Sequence, residues 1–153
     1  MIKTKLKISG DKLTLASAHM LFKHDKCSRL HGHNYEIEVE VEGDLDENNM
    51  LIDFGPFKTS VSSMIMELDH KIILPEKNSE LDIKLDQKQY IISTCDKKFY
   101  RFPKEDVVLV PLESTTVELL SKYLHDKLKE RYSKFKITVT IAETPTSIVS
   151  YSE

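Results

Sequence analysis

HGHNYEIEVEVEG, residues 31–43, alternates from Tyr35 onward, with Tyr35, Ile37, Val39 and Val41 on one side and Glu36, Glu38, Glu40 and Glu42 on the other. Successive side chains of an extended chain point to opposite faces, so this pattern predicts a strand with one buried and one wet face. Gly43-Asp44 ends it. Upstream, residues 2–8 and 12–20 read as short strands around Ser9-Gly10-Asp11, which is expected to be a hairpin turn. Downstream, Asp53-Phe54-Gly55-Pro56 has the form of a helix start with Pro in the first turn, followed by Phe57, Val61, Met64, Ile65 and Leu68 at helical spacing.

A second helix begins at Ser114-Thr115-Thr116, where Thr115 and Glu118 have capping-box spacing. Val117, Leu120, Leu124 and Leu128 form its apolar stripe, and it ends near Tyr132. FKITVTIAET then returns to strand alternation, with Ile137, Val139 and Ile141 sharing a face. Between the helices, residues 75–111 hold weaker strand candidates around Ile83 to Leu85, Gln89 to Ser93 and Phe99 to Phe102, which we read as an inserted hairpin. Strand pairs and two helices without regular βαβ alternation define an α+β fold, an antiparallel sheet with both helices packed on one face.

The chain has 153 residues, 40% hydrophobic and 31% charged, with few Gly and Pro and no linker or repeat, which predicts a single domain over residues 1–153. No apolar run approaches the length of a membrane span or a signal peptide, so a soluble, cytoplasmic protein with no membrane partner is expected. The net charge is −3 and the basic residues are interspersed with acidic ones, which argues against nucleic acid as a partner. The two cysteines, Cys27 and Cys95, do not suggest a disulfide framework.

The chemistry concentrates near the quoted strand. His31 and His33 are two apart, so both imidazoles share the face of Tyr35 and Ile37, and His19 shares parity with Leu13, Leu15 and Ser17 on the preceding strand. Neutral imidazole is a zinc ligand, and three histidines leave the fourth tetrahedral position for water or substrate, the catalytic arrangement. Cys27 as a fourth ligand would instead close the site, and histidines satisfied by backbone groups in a core would need no metal. Cys27 stands in a polar loop with Lys23, Lys26 and Arg29, cations that favour the thiolate, although a surface thiol fits the same spacing.

Glu143 continues the parity of Ile137, Val139 and Ile141. A carboxylate on that face is costly unless it binds a partner such as the N–H groups of a heterocycle, or else it emerges into solvent at the strand end. Asp69-His70, just past the first helix, is a candidate acid-base pair, although a helix C-terminus also favours histidine.

In order along the chain, Ser17-Ala18-His19, Cys27-Ser28-Arg29-Leu30-His31-Gly32-His33-Asn34, Ile52-Asp53-Phe54-Gly55, Leu68-Asp69-His70-Lys71, Ser114-Thr115-Thr116-Val117-Glu118 and Ala142-Glu143-Thr144 resemble the 6-pyruvoyl- and 6-carboxy-tetrahydropterin synthase family. The most distinctive block is Cys, three residues, then His-Gly-His. The resemblance implies a tunnelling fold (T-fold), with a homo-oligomer formed as a trimeric barrel stacked into a hexamer, and 7,8-dihydroneopterin triphosphate as substrate.

It also implies zinc on His19, His31 and His33, proton transfer by Cys27 with Asp69 and His70, and a pterin ring held by Glu143 with Thr115 or Thr116. Lys23, His24, Lys26 and Arg29 are candidates for the triphosphate. The Cys-to-His spacing resembles the carboxy branch, which feeds 7-deazaguanine and queuosine synthesis, whereas the insert at 75–111 resembles longer forms of the family.

Overall fold

The computed structural model describes residues 3–10 and 12–153, which form two compact units. The first unit comprises the chain up to Leu15, residues 34–67 and residues 117–153; the second comprises residues 16–33 and 68–116.

In the first unit the long strand β3 (His31–Asp44) pairs antiparallel with β9 (Lys136–Thr144), with Val39 opposite Val139 and Ile37 opposite Ile141. β9 continues into β10 (Ser147–Ser152), again antiparallel. The predicted alternation holds: Tyr35, Ile37, Val39 and Val41 are buried together with Ile137, Val139 and Ile141. Ile37, Val39 and Val139 face both α1 (Phe54–Met66) and α2 (Val117–Arg131) around a small apolar void lined by Val61, Met64, Ile65, Leu124 and Leu128. Both helices therefore cover one face of the sheet. Asp53 starts α1 by accepting the Gly55 N–H at 3.0 Å, which satisfies one of the donors the first helical turn leaves open.

The strand β1 (Lys3–Ile8) does not fold back as the first arm of a hairpin. It pairs with β3 over residues 39–44, and beyond the bend the Leu13 carbonyl accepts the Ile37 N–H at 2.8 Å. The fourteen residues of β3 give room for successive segments along one edge, so the Ser9-Gly10 turn signal marks a bend within a continuous edge, with Gly10 at φ +111°. Ile2 and Asp11, which the sequence reading included in the strand and turn, lie outside the described residues.

In the second unit the C-terminal part of β2 (Thr14–His19) pairs in parallel with β4 (Lys71–Pro75), and β4 in parallel with β8 (Val107–Val110). The sheet is thus not purely antiparallel. The expected inserted hairpin is a three-stranded antiparallel meander, β5 (Leu81–Asp86), β6 (Gln89–Thr94) and β7 (Phe99–Pro103). All three weak strand candidates form, and Ile92 at their centre packs with Met20, Leu74 and Val107. Among the described residues no helix is long and apolar enough to cross a membrane.

Candidate metal centre

Three imidazoles converge in the second unit. His19 ends β2 on its buried face, in line with Leu15 and Ser17, while His31 and His33 open β3 on the face that continues through Tyr35. Ring centroids lie 4.7 Å apart for His19 and His31, 5.2 Å for His19 and His33, and 5.1 Å for His31 and His33. One potential ligand nitrogen from each falls within 4.8 Å of the others. Gly32 between two of the histidines lets the strands approach closely, since a Cβ there would stand 2.9 Å from the Ser17 carbonyl oxygen.

The polar partners of these rings are those a metal ligand needs. His19 Nδ1 lies 2.9 Å from the Thr115 carbonyl oxygen, and His31 Nδ1 lies 2.6 Å from the Arg29 carbonyl oxygen. A carbonyl only accepts, so each Nδ1 carries the proton and each Nε2 keeps a lone pair for coordination. Burial pushes the His19 imidazolium down to about 4, helped by the neighbouring His31 and His33 and opposed by the Thr115 carbonyl, so the ring is neutral near pH 7. The donor set thus fits a zinc ion with three nitrogen ligands and a position left for a further group.

Thr115 is fully buried, and its hydroxyl oxygen lies 3.2 Å from His19 Nδ1 and 3.5 Å from the Met20 carbonyl. The capping-box reading did not anticipate this. α2 begins at Val117, and the Thr115 side chain serves His19 from the preceding turn. No local signal in the sequence links positions 96 residues apart.

The segment after α1 is fixed to β2 by three hydrogen bonds. Ser17 Oγ donates to the Leu68 carbonyl at 2.6 Å, the Ala16 N–H donates to Asp69 Oδ1 at 2.8 Å, and the His70 N–H donates to the Ala16 carbonyl at 2.7 Å. Asp69 Oδ2 lies 2.8 Å from His70 Nδ1, so one carboxylate spans a strand amide and an imidazole. Burial works against ionisation of Asp69, but the Ala16 and His70 contacts outweigh it and hold the carboxyl below its ordinary range. His70 adopts φ +56° and its ring is largely exposed.

Cys27 is half-buried in a 3-10 turn, Asp25–Ser28, with its carbonyl accepting the Leu21 N–H at 2.8 Å and its own N–H donating to the His24 carbonyl at 3.0 Å. Of the neighbouring cations, Lys23 is engaged by Glu80 at 2.6 Å. Glu143, in the first unit, is half-buried near the end of β9. Its charge reaches Tyr35, whose hydroxyl is pushed well above the usual phenol range, first by burial and then by that carboxylate.

The family model described as 6-pyruvoyl tetrahydropterin synthase matches residues 10–153. The chain belongs to the 6-pyruvoyl tetrahydropterin synthase family. A Methanocaldococcus jannaschii protein, provisionally named 6-carboxy-5,6,7,8-tetrahydropterin synthase, is 35% identical over 120 residues, 78% of this chain and 73% of that one. The Haemophilus influenzae 6-carboxy-5,6,7,8-tetrahydropterin synthase is 32% identical over 142 residues, covering 89% of this chain and 92% of that protein. The solved Plasmodium vivax 6-pyruvoyltetrahydropterin synthase superposes with a TM-score of 0.90 at 26% identity, over 100% of this chain and 99% of that one. The α+β tunnelling fold of this 6-pyruvoyl tetrahydropterin synthase family member and its class, a tetrahydropterin synthase-type lyase, follow from these likenesses.

Proposed function

We propose that this chain is a zinc-dependent lyase that converts 7,8-dihydroneopterin triphosphate and one water into 6-carboxy-5,6,7,8-tetrahydropterin, acetaldehyde and triphosphate, supplying queuosine-type 7-deazaguanine synthesis. The observation that carries this reading is that three residues separate Cys27 from the His31-Gly32-His33 block, in a chain that aligns with 92% of the H. influenzae carboxy synthase.

His19, His31 and His33 would hold the zinc, with the Nδ1 protons of His19 and His31 committed to the Thr115 and Arg29 carbonyls. When bound, zinc supplies Lewis acidity that makes a hydroxyl-bearing carbon easier to deprotonate. Cys27 takes and returns protons at the substrate side chain, and His70 is the second acid-base group, its ring oriented by Asp69. Glu143 accepts the amino and ring N–H groups of the pterin, a pairing in which two parallel donors meet one carboxylate. Thr115 is committed to His19, so we assign the accompanying ring contact to Thr116. The enzyme acts as a homo-oligomer, a trimer stacked into a hexamer.

The likeness to the P. vivax enzyme over the whole of this chain favours a second reading, elimination of triphosphate to give 6-pyruvoyl-tetrahydropterin. Incubation of the zinc-loaded protein with substrate, followed by mass analysis, separates the two, because acetaldehyde accompanies only the carboxy product. Absence of both pterin products and of triphosphate would overturn the lyase reading. Light scattering should return six times the 17.7 kDa chain mass; a monomer would overturn the hexamer.

A further inference from the structure

The residues between β2 and β3 carry Cys27 on a turn that is closed by its own hydrogen bonds: Cys27 to His24, Arg29 to Lys26 and Ser28 Oγ to the Asp25 carbonyl. Adjoining chain holds it as well, through the Leu21 N–H on the Cys27 carbonyl and His31 Nδ1 on the Arg29 carbonyl. Lys23 and Asp25 stand at φ 59° and 45°, a conformation that side chains other than glycine keep only where the surroundings fix it.

The inserted meander, within the same unit, adds side-chain contacts from outside this segment. Lys23 Nζ meets Glu80 Oε1 at 2.6 Å, four residues before Cys27, and Lys98 Nζ reaches the Ser28 carbonyl at 3.5 Å, one residue after it. Lys98 is itself paired with Asp96 at 3.0 Å, and Asp96 accepts the Thr94 hydroxyl. Glu80 also receives the Cys95 thiol, and that bond and Lys23 together hold its carboxyl below the usual range. Beneath these contacts Phe22 packs on the cluster built around Met20 and Ile92. The insert thus contacts the chain on both sides of Cys27, at Lys23 and at Ser28.

We propose that the β5–β7 meander is the platform that positions the Cys27 loop, with Glu80 and Lys98 as positioning residues acting through Lys23 and the Ser28 carbonyl. The catalytic consequence rests on the proposed role of Cys27; the positional one does not. The insert therefore sets how rigidly the thiol is presented, and the two lysine contacts set it from opposite ends of the turn.

The test uses the zinc-loaded full chain with Glu80→Gln, Lys98→Met, Glu80→Lys and the paired exchange Lys23→Glu with Glu80→Lys. Iodoacetamide labelling followed by peptide mass analysis reads Cys27 and Cys95 separately. Loss of one partly exposed ion pair should raise Cys27 labelling about 2- to 5-fold and lower kcat over the same range, with KM and zinc content unchanged. The paired exchange should return Cys27 labelling to the wild-type rate after Glu80→Lys has raised it. Unchanged Cys27 labelling in the folded single variants, or no recovery in the exchange, would overturn the proposal. Wild-type protein without turnover would overturn the lyase reading alone, because labelling decides the positional question by itself.

Discussion

Replacing Gly32 with alanine probes a close main-chain approach within the candidate metal centre. A Cβ at this position would sit 2.9 Å from the Ser17 carbonyl oxygen and 3.6 Å from the Ala18 Cα, whereas ordinary contact begins at 3.4 Å. The backbones must therefore separate by about half an ångström, and the obstacle is main chain, which cannot rotate aside as a side-chain tip can. Zinc sites tolerate ligand displacements of only about 0.2 Å, so the opening matters more for the metal than for the fold.

Overpacking of this kind costs about 1–3 kcal/mol, and for a chain of this size each kcal/mol lowers Tm by about 2–4 °C. The expected result is a folded apoprotein with Tm down by roughly 2–12 °C and zinc affinity at least about tenfold weaker, on the scale of losing an orienting group around a metal. Chelator competition measures the affinity and differential scanning calorimetry the stability. Gly55→Ala is the matched control, because its Cβ meets only Asp53 Oδ1, at 3.5 Å, in the first turn of α1. Gly32→Ala with wild-type zinc affinity would refute the argument that the glycine sets the spacing of the ligands.

Other perturbations follow from the same geometry. Cys27→Ala should abolish turnover while zinc content and oligomer size survive; metal loss would instead make Cys27 a ligand. Asp69→Asn should lower Tm at neutral pH. Because folding depresses the Asp69 carboxyl, its contribution is fully present above the ordinary value of 3.8 and fades as pH falls through the lower folded value, so the wild-type and variant Tm curves should converge in acid. Parallel curves across that range would remove Asp69 from the account. Asp53→Ala removes the acceptor for the Gly55 N–H and should cost about 0.5–2 kcal/mol in denaturant unfolding without changing zinc affinity.

Much of this architecture was legible because one period repeats without interruption. Eight alternating residues, Tyr35 to Glu42, fix the buried face of β3, and the same parity carried back to His31 and His33 aims both rings inward. The helices announced themselves through Phe57, Val61 and Ile65 and through Leu120, Leu124 and Leu128, all buried. The parallel strands β4 and β8 escaped notice because Lys71-Ile72-Ile73-Leu74-Pro75 and Val107-Val108-Leu109-Val110 are short apolar runs without alternation, as buried parallel strands commonly are.

The turn at Gly10 was legible but its consequence was not, since choosing between a hairpin and an edge occupied in succession depends on the length of β3, a property of the partner strand. Likewise the Thr115 contact to His19 and the tether of Asp69 to Ala16 depend on registers that only the assembled sheet defines.

The acceptors that orient His19 and His31 are the main-chain carbonyls of Thr115 and Arg29. Every amino acid brings that same oxygen, so the tautomer of these ligands is encoded by backbone path and not by residue identity. At position 29, where the side chain is exposed, mutational drift has nothing to erase. The coordination chemistry of such a centre can persist while the loop surface around it is rewritten for a different substrate, which gives a lineage freedom to change what it transforms without rebuilding how it holds its metal.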